Sequence, residues 1–432
     1  MKELTVILYT TRYRKGGAQF RRVANTMARE IADDFKEVMC RAIESKHEMK
    51  QVFRTIRDAG KEIDAFHFIG HSGMYGPMYG TVNYPEQFSP YEIERLDIPF
   101  AKDASAFFHC CRSARWFAPY FANVQKVITY GYHWYTTFST KKERYQIPIR
   151  QKGSLYCFGC PGRKSHGWLA SMKKLLGVMK PEKLKRFKPE PEKADDSYNS
   201  VAKLYAETFH DIKVRKDEFK WIMKHLPTDE NINVLDIGCG NGALLSELSN
   251  KISKGVGLDV SDQLLNLART RNTDHPNIDF KRIDGPALPF PDHSFDVVIS
   301  LLSYRYLDWD PIMIEIERVV KKEGKLLIVD MVTAPVQPKE WPKFIRSKAS
   351  HYIDRFRKPA FYHNLRRLVT NPGWSHMLKY NPIRSQHEMK WYLESRFPGR
   401  KVEVINIGMH SRILAFDSKN MKNIENIELT YP

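Results

Sequence analysis

The stretch Asn233-Val-Leu-Asp-Ile-Gly-Cys-Gly-Asn-Gly-Ala-Leu-Leu245 decides the fold of the second half of this 432-residue chain. It begins with a short apolar run that contains an acid, continues with three alternating glycines, and passes into an apolar helical pattern. This order predicts a strand, a tight turn and a helix, because glycine lets the backbone turn sharply and a bulky ligand approach it. The third glycine comes one residue too early for the dinucleotide spacing G-x-G-x-x-G, so the stretch alone does not identify its ligand.

Further strand patterns follow in the order typical of a parallel sheet covered by helices. Lys254-Gly-Val-Gly-Leu-Asp-Val-Ser261 predicts a second strand that ends at Asp259, about 20 residues beyond the turn, where a carboxylate can bind the two hydroxyls of a ribose. A third strand is predicted to end at Asp284 and to be followed by a proline-rich turn. The remaining predicted strands are 295–301, 325–330, 402–407 and 412–416, of which the last two form a hairpin.

Four motifs of this half, in this order and spacing, resemble the class I S-adenosylmethionine-dependent methyltransferases. They are V-L-D-I-G-C-G-N-G, G-L-D-V-S, D-G-x-A-L-P-F-P-D-x-S-F-D-V-V-I-S and E-I-E-R-V-V-K-K-E-G-K-L-L-I-V-D, and the resemblance covers residues 198–332. It is strongest to the branch that includes the ubiquinone and menaquinone C-methyltransferases. The resemblance implies a Rossmann-like, seven-stranded sheet and S-adenosyl-L-methionine as cofactor. A Rossmann dehydrogenase is the alternative, and the glycine spacing, Asp284 with its Leu-Pro-Phe turn, and the terminal hairpin disfavour it.

The same resemblance implies ten cofactor-binding residues, grouped by the part of the cofactor that they hold. At the methionine end these are Asp236, Gly238, Cys239 and Gly240. At the ribose the residue is Asp259. At the adenine ring they are Asp284, which would bond the exocyclic amine, Gly285 and Ala287. At the end of the fourth strand, Ser300 and Leu301 would contribute backbone groups.

Residues that touch the methyl acceptor are expected in the loop Leu302-Ser-Tyr-Arg-Tyr-Leu-Asp-Trp309. Methyl transfer needs donor and acceptor to be aligned, and an acidic acceptor must also lose its proton. The candidates for orienting an acceptor are Tyr304, Arg305 and Tyr306, and the candidates for a base are Asp308 and His410. The alternative is that these tyrosines only pack the loop. Residues 333–398 predict a helical cap over the acceptor site, and their Lys and Arg residues are typical either of an anionic acceptor or of an exposed helix face.

Residues 1–162 predict a second α/β domain, since strands alternate with helices there. One strand ends at Gly70-His71-Ser72-Gly73, and the next ends at Cys110-Cys111-Arg112-Ser113, where a helix is expected from about residue 113 to residue 122. A thiol at a helix N-terminus is favoured as thiolate, and a histidine on the neighbouring strand could accept its proton.

An apolar strand that leads to His-x-Gly, followed by one that leads to Cys-x-Ser-Ala, resembles the caspase-like cysteine peptidases, most closely their CHAT branch. The resemblance covers residues 1–160 and implies a mostly parallel sheet with His71 as base and Cys111 as nucleophile. The chain departs from the family pattern in having Ser72 between the histidine and the glycine, and a second cysteine before the nucleophile. One alternative is that both residues only pack. A serine nucleophile elbow at Ser72 is disfavoured because Met74 stands where that turn needs glycine.

Residues 163–197 predict a basic, proline-containing linker between the two domains. The formal net charge of the chain is +19, and residues 141–193 alone carry 15 Lys/Arg against 4 Asp/Glu. Such a segment could bind RNA or an anionic membrane surface, or serve as a solvated connector.

Composition sets the remaining expectations. Hydrophobic residues make up 42% of the chain, which is enough for globular cores. No apolar run approaches the roughly 20 residues of a membrane helix, and the start lacks a signal-peptide core. Six cysteines in a chain of this length do not form a disulfide framework, so we expect a cytoplasmic protein. The single pair Cys157 and Cys160, near His166, is too few ligands for structural zinc, and no metal is expected.

The sequence therefore predicts a methyltransferase that acts on a small-molecule acceptor, or on RNA or another anionic acceptor, fused to a caspase-like domain. One alternative is a cysteine peptidase with an accessory or regulatory methyltransferase domain. Another is a binding module in which the cofactor fold is regulatory. The oligomeric state cannot be read from the sequence.

Overall fold

The computed structural model describes residues 3–73, 76–81, 85–88, 90–145, 153–160, 172–173, 175–190, 198–229, 231–334, 336–380, 384–409 and 411–421. The chain divides into two compact units, and the division falls between Lys193 and Ala194, inside the predicted linker. Among the described helices, none is long and apolar enough to cross a bilayer.

The first unit is built on a mostly parallel sheet, with short antiparallel pairs beside it. Its strands are β1 (Glu3–Thr10), β2 (Lys36–Ile43), β3 (Ile63–Ile69), β4 (Ser72–Gly73), β5 (Gly76–Pro77), β6 (Tyr79–Gly80), β7 (Pro85–Glu86), β8 (Phe100–His109), β9 (Ile128–Gly131), β10 (Thr136–Ser139), β11 (Tyr156–Gly159) and β12 (Lys185–Phe187). The main sheet has the order β12-β9-β8-β3-β1-β2, and only β12 is antiparallel to its neighbour. The remaining strands pair as β4-β5, β6-β7 and β10-β11.

Helices cover both faces of the main sheet. They are α1 (Gly17–Ile31), α2 (Lys46–Asp58), α3 (Pro90–Glu94) and α4 (Phe117–Gln125). Along β1, Val6 and Leu8 belong to one buried cluster while Ile7 and Tyr9 belong to another. Side chains that are buried on both sides of a strand are typical of a parallel sheet between two helical layers. The predicted α/β alternation is therefore confirmed for this unit, and its caspase-like classification stays a prediction.

Two local expectations for the first unit differ from the structure. Residues 111–116 form turns and α4 begins only at Phe117, because the hydroxyl of Ser113 donates to the carbonyls of Phe108 and Cys110 and accepts from the N–H of Tyr132. The predicted linker also contributes a strand, since β12 pairs with β9 at the edge of the main sheet.

The second unit is built on a seven-stranded sheet. Its strands are β13 (Asn233–Ile237), β14 (Lys254–Asp259), β15 (Ile278–Arg282), β16 (Phe295–Leu301), β17 (Val320–Thr333), β18 (Glu403–Ile407) and β19 (Ser411–Asp417). The order is β15-β14-β13-β16-β17-β19-β18, with β19 antiparallel to both of its neighbours. This arrangement confirms the predicted Rossmann-like sheet with a terminal hairpin. The direction in which strands are added reverses at β13, and ligands bind at such a switch point.

Helices also cover both faces of this second sheet. They are α5 (Ala202–Thr208), α6 (Lys216–His225), α7 (Ala243–Leu248), α8 (Asp262–Arg271), α9 (Trp309–Val319), α10 (Trp341–Arg357), α11 (Pro359–Val369), α12 (Pro372–Tyr380) and α13 (Gln386–Arg396). Short 3-10 turns lie at Asn199–Val201, Ile212–Val214, Ser249–Lys251, Tyr304–Tyr306 and Pro338–Glu340. The last four helices, α10 to α13, lie in the segment between β17 and the terminal hairpin.

Candidate functional site

The glycine turn after β13 is fixed by backbone bonds to the neighbouring strand. The N–H groups of Gly238 and Cys239 both donate to the carbonyl of Leu258 in β14, at 2.7 and 2.9 Å. Gly238 has φ of +77°, and a Cβ placed there would lie 2.3 Å from the Cβ of Ser303. Glycine is therefore required at residue 238 both by its backbone conformation and by the lack of space.

Asp236 is a buried carboxyl group at the entrance to this turn. Its side chain is 2% exposed, and within the described part of the chain its Oδ1 has no hydrogen-bond partner. Burial, and secondarily the charge of Asp259, raises the pKa of Asp236 to about 7. Because buried polar atoms are nearly always paired, this oxygen points to a missing donor such as an ammonium group.

A cavity opens beside Asp236 and the glycine turn. Four of the predicted cofactor residues line it, namely Asp236, Gly238, Cys239 and Leu301. Sequence reasoning did not predict the other lining residues, which are Tyr205, Phe209, Ile212, Arg215, Asn241, Ala243 and Leu244.

Asp259 holds the glycine turn against the end of β14. Its carboxylate accepts hydrogen bonds from the N–H groups of Gly240 and Ser261, each at 2.9 Å. Burial raises the pKa of Asp259, and the backbone bonds counteract that effect. The carboxylate therefore sits in a fixed orientation next to the turn, at the strand end where a ribose is expected.

The residues predicted for the adenine ring lie on an exposed loop after β15. Asp284 is 71% exposed and forms an ion pair of 3.0 Å with Arg282, which also pairs with Asp262. Gly285 and Ala287 are exposed as well. In this conformation the carboxylate of Asp284 is thus bound to Arg282.

Ser300 is buried at the end of β16, in contrast to that exposed loop. Its hydroxyl donates to the carbonyl of Ile237 and lies 2.7 Å from the hydroxyl of Ser303. These bonds tie the end of β16 to the end of β13.

A cluster of aromatic rings, which we name the aromatic wall, includes the two cavity-lining rings of Tyr205 and Phe209. It consists of Tyr198, Tyr205, Phe209, Tyr306 and Trp374. The ring of Tyr198 lies 5.2 Å from Tyr205, 6.1 Å from Tyr306 and 5.8 Å from Trp374, and Tyr205 lies 4.9 Å from Phe209. Such distances between ring centroids are those of favourable aromatic pairs. The only sequence signal for the wall was the aromatic content of residues 198–209 ahead of the glycine strand.

The loop after β16 divides its predicted acceptor residues between the core and the aromatic wall. Tyr304 is fully buried and stacks on Trp309, so for Tyr304 the structure favours the packing interpretation. Arg305 is also buried and forms an ion pair with Asp330. Only Tyr306 belongs to the wall.

The hydroxyl of Tyr306 accepts two hydrogen bonds. One comes from Nη2 of Arg305 at 2.9 Å and the other from the hydroxyl of Tyr198 at 3.0 Å. Asp308 is half-buried and caps the N-terminus of α9, where its carbonyl accepts from the N–H of Ile312. The other predicted base, His410, lies outside the described residues.

In the first unit, His71 and Cys111 follow the neighbouring strands β3 and β8. Nε2 of His71 donates to the carbonyl of Lys15 at 2.9 Å, and Sγ of Cys111 accepts from the N–H of Thr136 at 3.3 Å. Burial lowers the pKa of His71. The expected position of Cys111 at a helix N-terminus is wrong, since α4 begins only at Phe117, and the dipole of that helix does not reach this thiol.

Comparison with known proteins agrees with the geometry of the second unit. The family model described as "Methyltransferase domain" matches residues 235–328. The second half of the chain therefore carries an S-adenosylmethionine-dependent methyltransferase domain. Its methyl donor is S-adenosyl-L-methionine, and the buried, unpaired oxygen of Asp236 beside the glycine turn fits the ammonium group of that molecule.

Three relatives of the methyltransferase domain differ in how much of their own length is matched. An uncharacterized methyltransferase, YcgJ of Bacillus subtilis, is 25% identical over 44% of this chain and 74% of its own length. The ubiquinone/menaquinone biosynthesis C-methyltransferase UbiE of Hahella chejuensis is 34% identical over 24% of this chain and 45% of its own length. The sterol 4-C-methyltransferase strm-1 of Caenorhabditis elegans is 30% identical over 26% of this chain and 34% of its own length. Less than half of the last two proteins is therefore matched.

Within the described residues, no group of three or more His, Cys, Asp or Glu side chains is arranged to hold a metal ion.

Proposed function

We propose that the methyltransferase domain transfers the methyl group of S-adenosylmethionine to a small, lipophilic, ring-containing acceptor bound beside the aromatic wall. The observation that carries this proposal is the cavity that has Asp236 and the glycine turn on one side and Tyr205 and Phe209 on the other. The names of two relatives, which describe carbon methylation in quinone biosynthesis and of a sterol, support carbon as the methylated atom.

On the donor side, the residues that follow β13 and β14 would hold the methionine and ribose parts. S-adenosylmethionine supplies an activated methyl group, so the chain needs to bind and align it. Asp236 would pair with the ammonium group, and Asp259 would accept hydrogen bonds from the ribose hydroxyls. Asp284 would bond the adenine amine, which requires its ion pair with Arg282 to open; Gly285 and Ala287 would pass close to the ring.

On the acceptor side, Tyr306 would orient the acceptor, and the carboxylate of Asp308 would take up the proton that an acidic acceptor releases. The hydroxyl oxygen of Tyr306 accepts hydrogen bonds from Arg305 and Tyr198, which fix its position and leave its own O–H to donate to an oxygen of the acceptor. Arg305 would act as a positioning residue, since its guanidinium lies between Asp330 and Tyr306.

The segment 333–398 would close the acceptor site. Two of its rings reach the aromatic region around the cavity: Trp374 contacts Tyr198, and Phe361 lies 6.1 Å from Phe209. These contacts support the predicted role of the segment as a cap. Its aromatic side chains also support an acceptor with a flat apolar ring system.

The proposal is tested with the full chain, S-adenosylhomocysteine and a panel of quinol and sterol acceptors. Calorimetry should detect binding of S-adenosylhomocysteine, and mass spectrometry should find methyl transfer to at least one ring-containing acceptor. Asp308→Asn should lower kcat by about 100-fold, as loss of a general base does, and leave the affinity for S-adenosylhomocysteine unchanged. Tyr306→Phe should lower kcat by about tenfold, as loss of one hydrogen bond does. Equal turnover by Asp308→Asn and the unaltered chain would remove the proton-accepting role from Asp308.

A second candidate function, a cysteine peptidase with His71 as base and Cys111 as nucleophile, stays a prediction. The two residues follow adjacent parallel strands, and Thr136 donates its N–H to the sulfur of Cys111. The bond from His71 to the carbonyl of Lys15 would have to open first. Labelling of Cys111 by an electrophilic peptide probe should be lost in His71→Ala. Equal labelling of both proteins would contradict this function. RNA binding by the basic segment 163–197 stays a prediction that a gel-shift titration at two salt concentrations can test.

A further inference from the structure

Helix α10 presents a continuous line of exposed apolar side chains, which we name the apolar stripe. It consists of Trp341, Ile345, Tyr352 and Phe356, whose exposed fractions are 50%, 61%, 60% and 85%. At about 100° per residue, these four positions fall within about 60° of the helix circumference. Single exposed apolar residues are ordinary on protein surfaces, but an aligned set of large ones marks an interaction site.

Other residues attach α10 to its domain. Phe344 is buried, and the hydroxyl of Ser347 lies 3.0 Å from Oδ1 of Asn406 in β18. Ser347 lies on the far side of the helix from the apolar stripe, whereas Phe344 lies beside the stripe and contacts the ring of Trp341 edge-to-face at 5.5 Å. The other three stripe residues are more than half exposed, so they are not needed to hold the helix in place.

The segment that carries the apolar stripe is strongly basic. Residues 339–358 contain seven Lys or Arg and only two Asp or Glu. One of the two acids, Glu340, is held by Arg412 in a largely buried ion pair. On the helix circumference Lys348 and Arg355 lie next to the stripe, and both are exposed. Positive charge thus borders the apolar side chains along the helix.

We propose that the apolar stripe docks on an anionic lipid membrane surface. Its aromatic and aliphatic side chains would enter the boundary between headgroups and acyl chains, and Lys348 and Arg355 would contact lipid phosphates, as amphipathic helices lying in the membrane plane do. The interleaved charge favours lipid over a protein partner, since charged residues are depleted at the centres of protein interfaces. Two copies of this face would repel each other.

Docking of the apolar stripe on a membrane is separate from the proposed methyl transfer, and its test does not require turnover. The full chain is sedimented with phosphatidylcholine vesicles and with phosphatidylcholine–phosphatidylglycerol vesicles, at low and at physiological salt. Binding is expected to the anionic vesicles and to weaken as salt rises, because the charge contribution is screened. Absence of binding to anionic vesicles at low salt would overturn the proposal.

Variants of the stripe separate its contribution from that of the basic linker. Phe356→Ala combined with Ile345→Ala should weaken binding to the anionic vesicles by about tenfold or more, because apolar area leaves the lipid. Phe35→Ala is the matched control, since Phe35 is 80% exposed on the first unit, and it should bind like the unaltered chain. Lys348→Gln and Arg355→Gln should each weaken binding about fivefold.

Two other outcomes would show that the apolar stripe does not dock on a membrane. If Phe356→Ala abolishes a concentration-dependent dimer and leaves vesicle binding unchanged, the stripe is an interface between two copies and the membrane proposal is wrong. If the stripe and control variants bind equally well, another part of the chain contacts the lipid and the proposal is equally wrong. Binding of S-adenosylhomocysteine is measured on every variant and should not change, so failure at the membrane and failure at the donor site remain distinguishable.

Discussion

Substitution of Asp236 by asparagine should stabilise the ligand-free protein and weaken its binding of the methyl donor. The pKa of this buried carboxyl is raised from 3.8 to about 7. A folded-state pKa above the unfolded value means that the folded protein binds more protons, so stability is lost as pH rises from about 4 to about 7. A shift of about three units corresponds to about 4 kcal/mol of lost stability above pH 7. The Asp236→Asn variant would avoid this cost because an amide is never charged.

The assay is unfolding of the unaltered chain and of Asp236→Asn at pH 5 and pH 8, without ligand and with S-adenosylhomocysteine. At pH 8 and without ligand, the unfolding midpoint of Asp236→Asn should lie above that of the unaltered chain, and at pH 5 the difference between the two midpoints should be smaller. Calorimetry at pH 8 should show that Asp236→Asn binds S-adenosylhomocysteine about 10- to 100-fold more weakly than the unaltered chain does, as expected for the loss of a charged hydrogen bond. A variant that is less stable at pH 8, or that binds the ligand equally well, would refute the assignment of Asp236.

Three further substitutions test how the site is built. Gly238→Ala should strongly lower the free energy of unfolding and abolish binding of S-adenosylhomocysteine. The control is Gly399→Ala, which has the same φ of +77° but no atom within 4 Å of a Cβ, so it should lose only the stability that an alanine loses in this backbone conformation. Equal losses of stability in the two variants would contradict the clash with Ser303. Arg305→Met should lower the free energy of unfolding by about 3–5 kcal/mol, because Asp330 is left charged and buried. The double variant Arg305→Met, Asp330→Leu should recover part of that loss, and denaturant titration measures both. Asp259→Ala should weaken binding of S-adenosylhomocysteine by at least about tenfold in calorimetry, and unchanged affinity would remove Asp259 from the ribose site.

Local pattern was sufficient to predict the strand, turn and helix that carry the proposed donor site. Residues 233–248 carry their strand, turn and helix within 16 consecutive positions, and Asp259 directly ends the next strand. Hydrophobic periodicity and the placement of glycines therefore indicate the glycine turn as well as the end of the second strand. The exposed apolar stripe could not be predicted in this way. The sequence of α10 shows an apolar pattern, but only the packing of Phe344 and Ser347 decides which side of the helix is left in solvent.

Contacts between distant parts of the chain account for what sequence reasoning missed. The aromatic wall joins residues 198–209 to Tyr306 and Trp374, which are about 100 and 170 positions away and share no repeat or motif. The strand β12 exists because Lys185–Phe187 pairs with the edge strand β9, although its own composition is that of a linker. Cys111 lies in a turn because the hydroxyl of Ser113 bonds three backbone groups, an interaction that propensity rules do not include.

The pair of Arg305 and Asp330 explains why the loop after β16 places one tyrosine in the aromatic wall and another in the core. Asp330 lies in β17, the neighbour of β16, and accepts from both the guanidinium and the backbone N–H of Arg305. These two bonds fix the direction of the short turn, so the residue before Arg305 packs on Trp309 and the residue after it reaches Tyr198. A buried ion pair contributes little net stability when compared with an apolar pair, but breaking it is costly, which makes it suited to fixing one conformation. The position of Tyr306 in the aromatic wall therefore depends on a charge pair that is buried in the core of the domain.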